Sequence, residues 1–230
     1  MTTLADYRDE RLRKLEEIRA RGIDPYPAKS HRNTKISTIL NHFDEKDGQE
    51  VVVAGRIMAI RSFGKLAFVK IRDYTGEVQI FMEKTDQVED GHFSVKELKL
   101  LDTGDFIEAA GRVGKSSTGE ISVFSNQVRL LTKSLRPLPG HDGFKNKEER
   151  YRRRYVDMNV NPEVRERLVR RSKFWQATRN FMNSKGFIEV NTPVLELTTG
   201  GADATPFTTH MDALDIDYYL RISQELPLKR

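Results

Sequence analysis

Between Glu50 and Leu131 apolar residues recur at every second position, and this period limits the fold more than any other feature of the chain. Five strand candidates follow from it: Val51 to Arg61, Leu66 to Arg72, Glu77 to Met82, Phe106 to Val113, and Ile121 to Leu130. Turn residues separate them at Phe63-Gly64-Lys65, Asp73-Tyr74-Thr75-Gly76, Thr103-Gly104-Asp105 and Ser116-Ser117-Thr118-Gly119. Between the third and fourth candidates, Phe93, Leu98 and Leu101 fall at helical spacing.

Five short strands with one helix between the third and fourth is the element order of an OB-fold barrel, a scaffold that often binds oligonucleotides on its second and third strands. In the second candidate Ala67, Val69 and Ile71 share one face, which leaves Leu66, Phe68, Lys70 and Arg72 on the other. In the third, Val78, Ile80 and Met82 point inward while Glu77, Gln79 and Phe81 point outward. A hairpin turn over Asp73 to Gly76 then sets Phe68 near Phe81 and Lys70 near Gln79. Rings interleaved with cations and an amide make a surface on which bases stack, at about 1 to 3 kcal/mol each. The same rings could instead seat the first helix, and the alternation alone leaves both uses open.

The flanking segments read differently. Ala5 to Ala20 is a basic amphipathic helix carrying Tyr7, Leu12, Leu15 and Ile18, stopped by Gly22 and Pro25. It suits docking on the barrel or contact with a nucleic-acid backbone. Ile36, Ile39, Leu40 and Phe43 form a short apolar turn, so residues 1–49 are an N-terminal helical extension and 50–132 the barrel. Lys133 to Asn146, with two prolines and two glycines, reads as a linker. In Lys147 to Asp157 the arginines 150, 152, 153 and 154 suit phosphates and suit a structural ion-pair network equally. Asn161 to Gly186 reads as one helix of about seven turns, capped by Asn161 and Pro162 and ended by Gly186. Its apolar stripe holds Val164, Leu168, Trp175 and Met182, widened by Phe174 and Phe181. A short strand, Phe187 to Val190, is expected to follow it, closed by Pro193.

Composition narrows the chemistry. The absence of cysteine removes disulfides, thiolate metal sites and thiol nucleophiles and fits a reducing, cytoplasmic setting. No apolar run approaches the roughly 20 residues of a membrane span. Lys and Arg exceed Asp and Glu by 39 to 34, a net +5 that tilts toward an anionic partner. The five histidines, His31, His42, His92, His141 and His210, lack metal-ligand spacing, and no GxxxxGK loop occurs, so no metal site is expected.

Several stretches together carry a likeness that spacing does not supply: RGIDPYPAK, GKLAFVKIRD, LLTKSLRPLPG, RYRRRYVDMNVNPEVRERLVRRSK, FMNSKGFIEVNTPVL, GGADATPFTTH and ALDIDYYLRISQELPLKR. The chain resembles the N-terminal part of a bacterial-type class II lysyl-tRNA synthetase. The asparaginyl and aspartyl enzymes share the plan, but GGADATPF and ELPLKR resemble the lysyl branch.

The resemblance implies an anticodon-binding OB domain followed, over 147–230, by a partial class II α+β catalytic domain with an antiparallel sheet. It implies a homodimer whose interface includes Phe174, Trp175, Phe181 and Pro193. For the full-length enzyme it implies that ATP, lysine and Mg²⁺ form lysyl-adenylate, from which lysine passes to tRNA(Lys). Phe68 matches the family's anticodon-stacking phenylalanine, Gln79 its base-reading glutamine, Arg61 a basic contact and Glu120 an acidic one. Gly201 and Glu225 match positions lining the lysine pocket, where a carboxylate pairs with the substrate ammonium. Motifs 2 and 3, which hold the ATP phosphates and the metal, would lie beyond Arg230, so these 230 residues alone are expected not to aminoacylate. In Gln224-Glu225-Leu226-Pro227-Leu228-Lys229-Arg230 a proline replaces the family's tyrosine, which bears on where that helix starts. A reading of another class is a stand-alone RNA-binding OB module with a dimerisation segment.

Overall fold

The computed structural model describes residues 3–140 and 144–229. The chain divides into two compact units, Met1–Asn161 and Pro162–Arg230. The division falls after residues 147–160, which pack with the first unit, while part of the expected 133–146 linker, with His141, lies outside the described residues.

In the first unit, helix α1 (Leu4–Ala20) begins with a capping box between Thr3 and Asp6. Two short helices, α2 (Ile36–Asn41) and α3 (Phe43–Lys46), lead into the barrel. Its strands are β1 (Glu50–Phe63), β2 (Leu66–Arg72), β3 (Glu77–Glu83), β4 (His92–Phe93), β5 (Phe106–Lys115), β6 (Ile121–Phe124) and β7 (Val128–Thr132). A 3₁₀ helix, Val95–Leu100, fills the place between the third and fourth long strands. The pairings β1–β2, β2–β3, β3–β6, β6–β5 and β5–β1 close a ring of five strands, the expected OB barrel. Only β3–β6 is parallel.

Two details depart from the plain period. The expected strand Ile121 to Leu130 is two strands, because Ser125 to Gln127 turn between them, with the Ser125 hydroxyl donating to the Gln127 carbonyl at 2.6 Å. β1 carries a bulge between Ile57 and Ala59. Before it, Val51, Val53 and Ile57 are buried; after it, Ile60 packs on the core and opposes buried Val69, while Arg61 is exposed. The extra residue reverses which parity faces inward.

The barrel core consists of Val53, Val69, Ile71, Ile80, Met82, Ile107, Val123, Leu130 and neighbours, with Ile18 of α1 and Ile36 and Ile39 of α2 packed into the same cluster. At one end sits a buried ionic turn. Lys133 Nζ donates to Asp102 at 2.6 Å and to Asp105 at 2.7 Å, and neither Lys133 nor Asp105 exposes its side chain. Asp105 also accepts from the backbone N–H groups of Asp102 and Ser134. α1 is fastened to this turn: Lys14 reaches Asp102 at 2.7 Å, and Arg11 donates to the carbonyls of Thr103 and Ser134. Burial pushes the Asp105 carboxyl up. At Asp102 burial pushes the same way, but the hydrogen bonds from Lys133 and Lys14 outweigh it and hold that carboxyl below its ordinary value. Glu108, also buried, is likewise held down by Ser30, Arg129 and the His31 N–H, which ties the 30–33 connector to the barrel.

Helices α4 (Lys147–Arg152) and α5 (Arg154–Val160) close the first unit around Phe144, Val156 and Val160. The second unit holds α6 (Pro162–Ser184), β8 (Leu195–Glu196), β9 (Thr208–Met211), β10 (Ile216–Leu220) and α7 (Glu225–Lys229), with an antiparallel sheet in the order β8-β10-β9. Gly186 ends the long helical stretch at φ +83°, as its position predicts. Phe187 to Val190, expected as a strand, joins no ladder: a strand needs a hydrogen-bonding neighbour, and none of the described residues provides one. Pro227 sits in the first turn of α7, where a missing N–H breaks no helical bond. No described helix is long and apolar enough to cross a membrane.

Replacing Lys133 by Met leaves the buried Asp105 carboxylate without a cation, while Asp102 keeps Lys14, and is expected to cost about 3 to 5 kcal/mol, read as a lower urea midpoint at unchanged slope. Because Glu108 and Asp102 titrate below their ordinary values of 4.5 and 3.8, their stabilisation is complete above those values and drains away as the pH falls below them and through the lowered folded-state values. Asp105, shifted upward, works in the opposite sense. The urea midpoint should drop on acidification through that window, and Glu108→Gln should flatten the slope.

Candidate nucleic-acid interface

The hairpin β2–β3 pairs Phe68 with Phe81 and Lys70 with Gln79, the register that the alternation predicts. The rings of Phe68 and Phe81 meet edge-on at 5.2 Å. β1 lies on one side, its bulge having turned Arg61 outward opposite Phe68. β6 lies on the other: Gln79 opposes Ser122, and Phe81 opposes Phe124 at a ring separation of 5.0 Å. Phe63, at the end of β1, touches Phe68 edge-on at 6.1 Å. Four phenylalanines drawn from four strands therefore form one continuous row across the outer face.

Polar groups flank the row. Gln79 Nε2 donates to Ser122 Oγ at 3.0 Å, and that hydroxyl donates to the Glu120 carbonyl, so the amide is held at a fixed place beside Phe81. The Glu120 side chain projects from the Ser116–Gly119 turn into solvent. The exposed Arg61 guanidinium has no partner among the described residues. Lys70 lies only within 3.6 Å of Glu77 at the surface, a loose pair that screens little of its charge. Stacking rings, an oriented amide and a free guanidinium thus share one face, which can hold a flat base by its face and its edge. Helix α1 does not cover these rings, since its polar contacts run to Asp102, Thr103 and Ser134.

The alternation marks Phe68, Gln79 and Phe81 but not the outer members of the row, because Phe63 borders a turn and Phe124 lies in a strand whose period is broken at Ser125. The signal for Phe124 lay in two glycines of β5. A Cβ on Gly111 would stand 2.1 Å from the Phe124 carbonyl oxygen, and one on Gly114 2.9 Å from its ring. Their bare backbones let β6 close against β5.

The other expected contacts lie elsewhere. All four arginines of the 147–157 stretch are engaged within the first unit. Arg150 pairs with Asp157 at 2.9 Å, Arg152 with Glu148 and Arg153 with Glu149, while Arg153 also covers Phe144 and Arg154 covers Tyr151. In the second unit Gly201 and Glu225, distant in sequence, come together: a Cβ on Gly201, whose φ is +81°, would stand 3.1 Å from the Glu225 Cβ and from Ser223 Oγ. Only glycine suits that approach and that backbone. The Glu225 carboxylate meets Lys229 Nζ. Arg221 reaches back to the Thr192 and Pro193 carbonyls, fixing Pro193 beside β8. Phe174, Trp175 and Phe181 are exposed on α6, with Phe174 and Trp175 in edge contact at 5.7 Å. Among the described residues no three His, Asp or Glu side chains gather to hold a cation such as the implied Mg²⁺.

Fold and face together define a class: an anticodon-type OB domain joined to part of a class II synthetase domain. Residues 51–131 match the family described as OB-fold nucleic acid binding domain, and residues 146–230 the family described as tRNA synthetases class II (D, K and N). Within that class the chain is similar to lysine-tRNA ligases. It is 47% identical to the enzyme of Pelotomaculum thermopropionicum over 221 residues, covering 96% of this chain and 43% of the relative. It is 44% identical to that of Dehalococcoides mccartyi and 45% to that of Azobacteroides pseudotrichonymphae, again over 96% of this chain and covering 45% and 47% of those proteins. The chain spans about half the length of the curated relatives it matches.

Gly111→Ala, which drives a methyl into the Phe124 carbonyl, is expected to destabilise the barrel by about 1 to 3 kcal/mol. Amide exchange should localise the loosening to β6 and the adjoining edge of β3.

Proposed function

We propose that this chain is the anticodon-reading and lysine-pocket portion of a lysyl-tRNA synthetase. The observation that carries the proposal is the register of the outer face, where Phe68, Gln79 and Arg61 stand around one row of rings. Phe68 stacks on an anticodon base of tRNA(Lys), Gln79 reads its edge, Arg61 contacts the phosphate backbone, and Glu120 accepts a donor from a neighbouring base. Aromatic stacking supplies affinity for any base, and the amide and carboxylate supply the choice.

Residues 147–230 are on this reading the motif 1 part of the catalytic domain. Glu225 pairs with the lysine ammonium after exchanging it for Lys229, and Gly201 leaves room beside it. In the full-length enzyme ATP and Mg²⁺ supply the activation of the lysine carboxylate; the residues here bind and orient the amino acid. The exposed ridge of Phe174, Trp175 and Phe181, with Pro193, is the seam of a homodimer, and the protein acts in the cytoplasm. The second reading, an RNA-binding module with a dimerisation segment, shares the interface and differs in chemistry. Lysine-dependent pyrophosphate exchange by these 230 residues would exclude it and overturn the expectation that they do not catalyse.

Phe68→Ala should weaken binding to a hairpin RNA with a uridine-rich loop by about 1 to 3 kcal/mol without lowering the urea midpoint to match; unchanged affinity removes the stacking assignment. Trp175→Glu and Phe181→Glu should each shift the chain toward monomer in size-exclusion chromatography with light scattering.

A further inference from the structure

Phe63 is 64% exposed, yet it is neither a loose side chain nor a stray surface residue. It ends β1 opposite Leu66, across the two-residue turn Gly64-Lys65. Gly64 takes φ +62° at the first turn position, the geometry that lets so short a hairpin follow the strand twist. The Lys65 carbonyl also accepts from the Lys84 N–H at 2.7 Å, which binds the tip to the end of β3. The bulge between Ile57 and Ala59 sets Phe63 on the same face as Arg61, and its ring leans edge-on against Phe68. Two cations flank it, Arg61 two residues before and Lys65 two residues after, and neither pairs with a carboxylate among the described residues.

Single exposed apolar residues are ordinary on protein surfaces. This one differs in its surroundings: it continues a row of rings, on a rigid tip, between two free cations. The contact with Phe68 is T-shaped and not a face-to-face stack, and most of the Phe63 side chain remains in solvent, so it offers surface that a base lying on Phe68 does not occupy. A ring held in place before binding loses little freedom when a base stacks on it.

We propose that Phe63 is a second stacking residue, which takes the base of the nucleotide adjoining the one on Phe68 while Arg61 and Lys65 hold the phosphates on either side. The proposal rests on the reading of the Phe68 face as the RNA surface. Its ligand is single-stranded loop RNA with at least two unstacked bases in succession.

Binding of the 230-residue chain to a hairpin RNA with a uridine-rich loop, followed by fluorescence anisotropy, tests it. Phe63→Ala is expected to reduce affinity roughly five- to a hundredfold with an unchanged urea midpoint, and Phe63→Leu to retain part of the binding. Hairpins made abasic at each loop position in turn then identify the contact. The loss from Phe63→Ala should vanish at one abasic position, next to the position that cancels the loss from Phe68→Ala. If Phe63→Ala binds like the parent chain while Phe68→Ala does not, the proposal falls and the interface reading stands. If both bind like the parent, the interface reading falls and takes the proposal with it. If the Phe63→Ala loss persists on every abasic hairpin, Phe63 only props Phe68, and the proposal is wrong.

Discussion

One extra residue in β1 decides what the outer face of the barrel can be. A strand has a side-chain period of two, so an uninterrupted β1 whose Val51, Val53 and Ile57 face inward would also turn Arg61 and Phe63 inward. An arginine in that interior would face buried Val69 and Ile71 with nothing to pair it, at a cost well beyond what one strand pairing returns. The bulge after Ile57 reverses the parity, so Ile60 meets the core and Arg61 stands opposite Phe68. It also bends the strand, allowing the first half of β1 to pair with β5 and the second with β2, as closure of a small barrel requires. The same device closes the ring and presents the cation.

Closure then fixes the rest of the face. Gln79 is oriented by a hydroxyl from β6, and β6 reaches that place only because Gly111 and Gly114 of β5 carry no side chain. At the other end of the barrel the order of construction is reversed. There the chain buries Lys133 with Asp102 and Asp105, an arrangement whose attraction is offset by the loss of hydration. What it adds is position: the ionic turn accepts Lys14, and Arg11 caps the carbonyls beside it, so α1 has one seat. That seat keeps a basic helix off the aromatic row.

The two middle strands were legible to the residue, because both faces of β2 and β3 alternate cleanly and a hairpin joins neighbours in sequence. Phe68, Gln79 and Phe81 came from that alone. The bulge was not legible: nothing in Arg56-Ile57-Met58-Ala59 marks an extra residue, and its position is set by partners on β5 and β2 far along the chain. Phe63 therefore reads as part of its turn. The break at Ser125 to Gln127 was hidden for a similar reason, since Ile121 to Leu130 keeps enough apolar residues to read as one strand. Phe187 to Val190 failed in the opposite direction. Its residue types favour a strand, but a strand is a pairing and not a property of four residues. Gly201 and Glu225 came only from the family likeness; no periodicity links positions that meet through a turn and a short helix.

Exposed aromatic residues occur in both units, and their company separates two meanings. On the barrel, Phe63, Phe68, Phe81 and Phe124 sit among an oriented amide and unpaired cations, on backbone fixed by hairpins. On α6, Phe174, Trp175 and Phe181 run along one helix, and the segment after it adds Phe187, Ile188, Val190 and Val194, while polar neighbours such as Arg179 with Glu189 and Gln176 with Asn180 pair with one another. A surface built to hold a charged, flat, polar-edged ligand needs hydrogen-bonding groups at the margins of its rings, because the ligand's edge must not be desolvated without partners. A surface built to meet another apolar surface needs none. The first pattern therefore favours a nucleic acid and the second a protein. Both follow from the same rule that a buried polar group must find its complement.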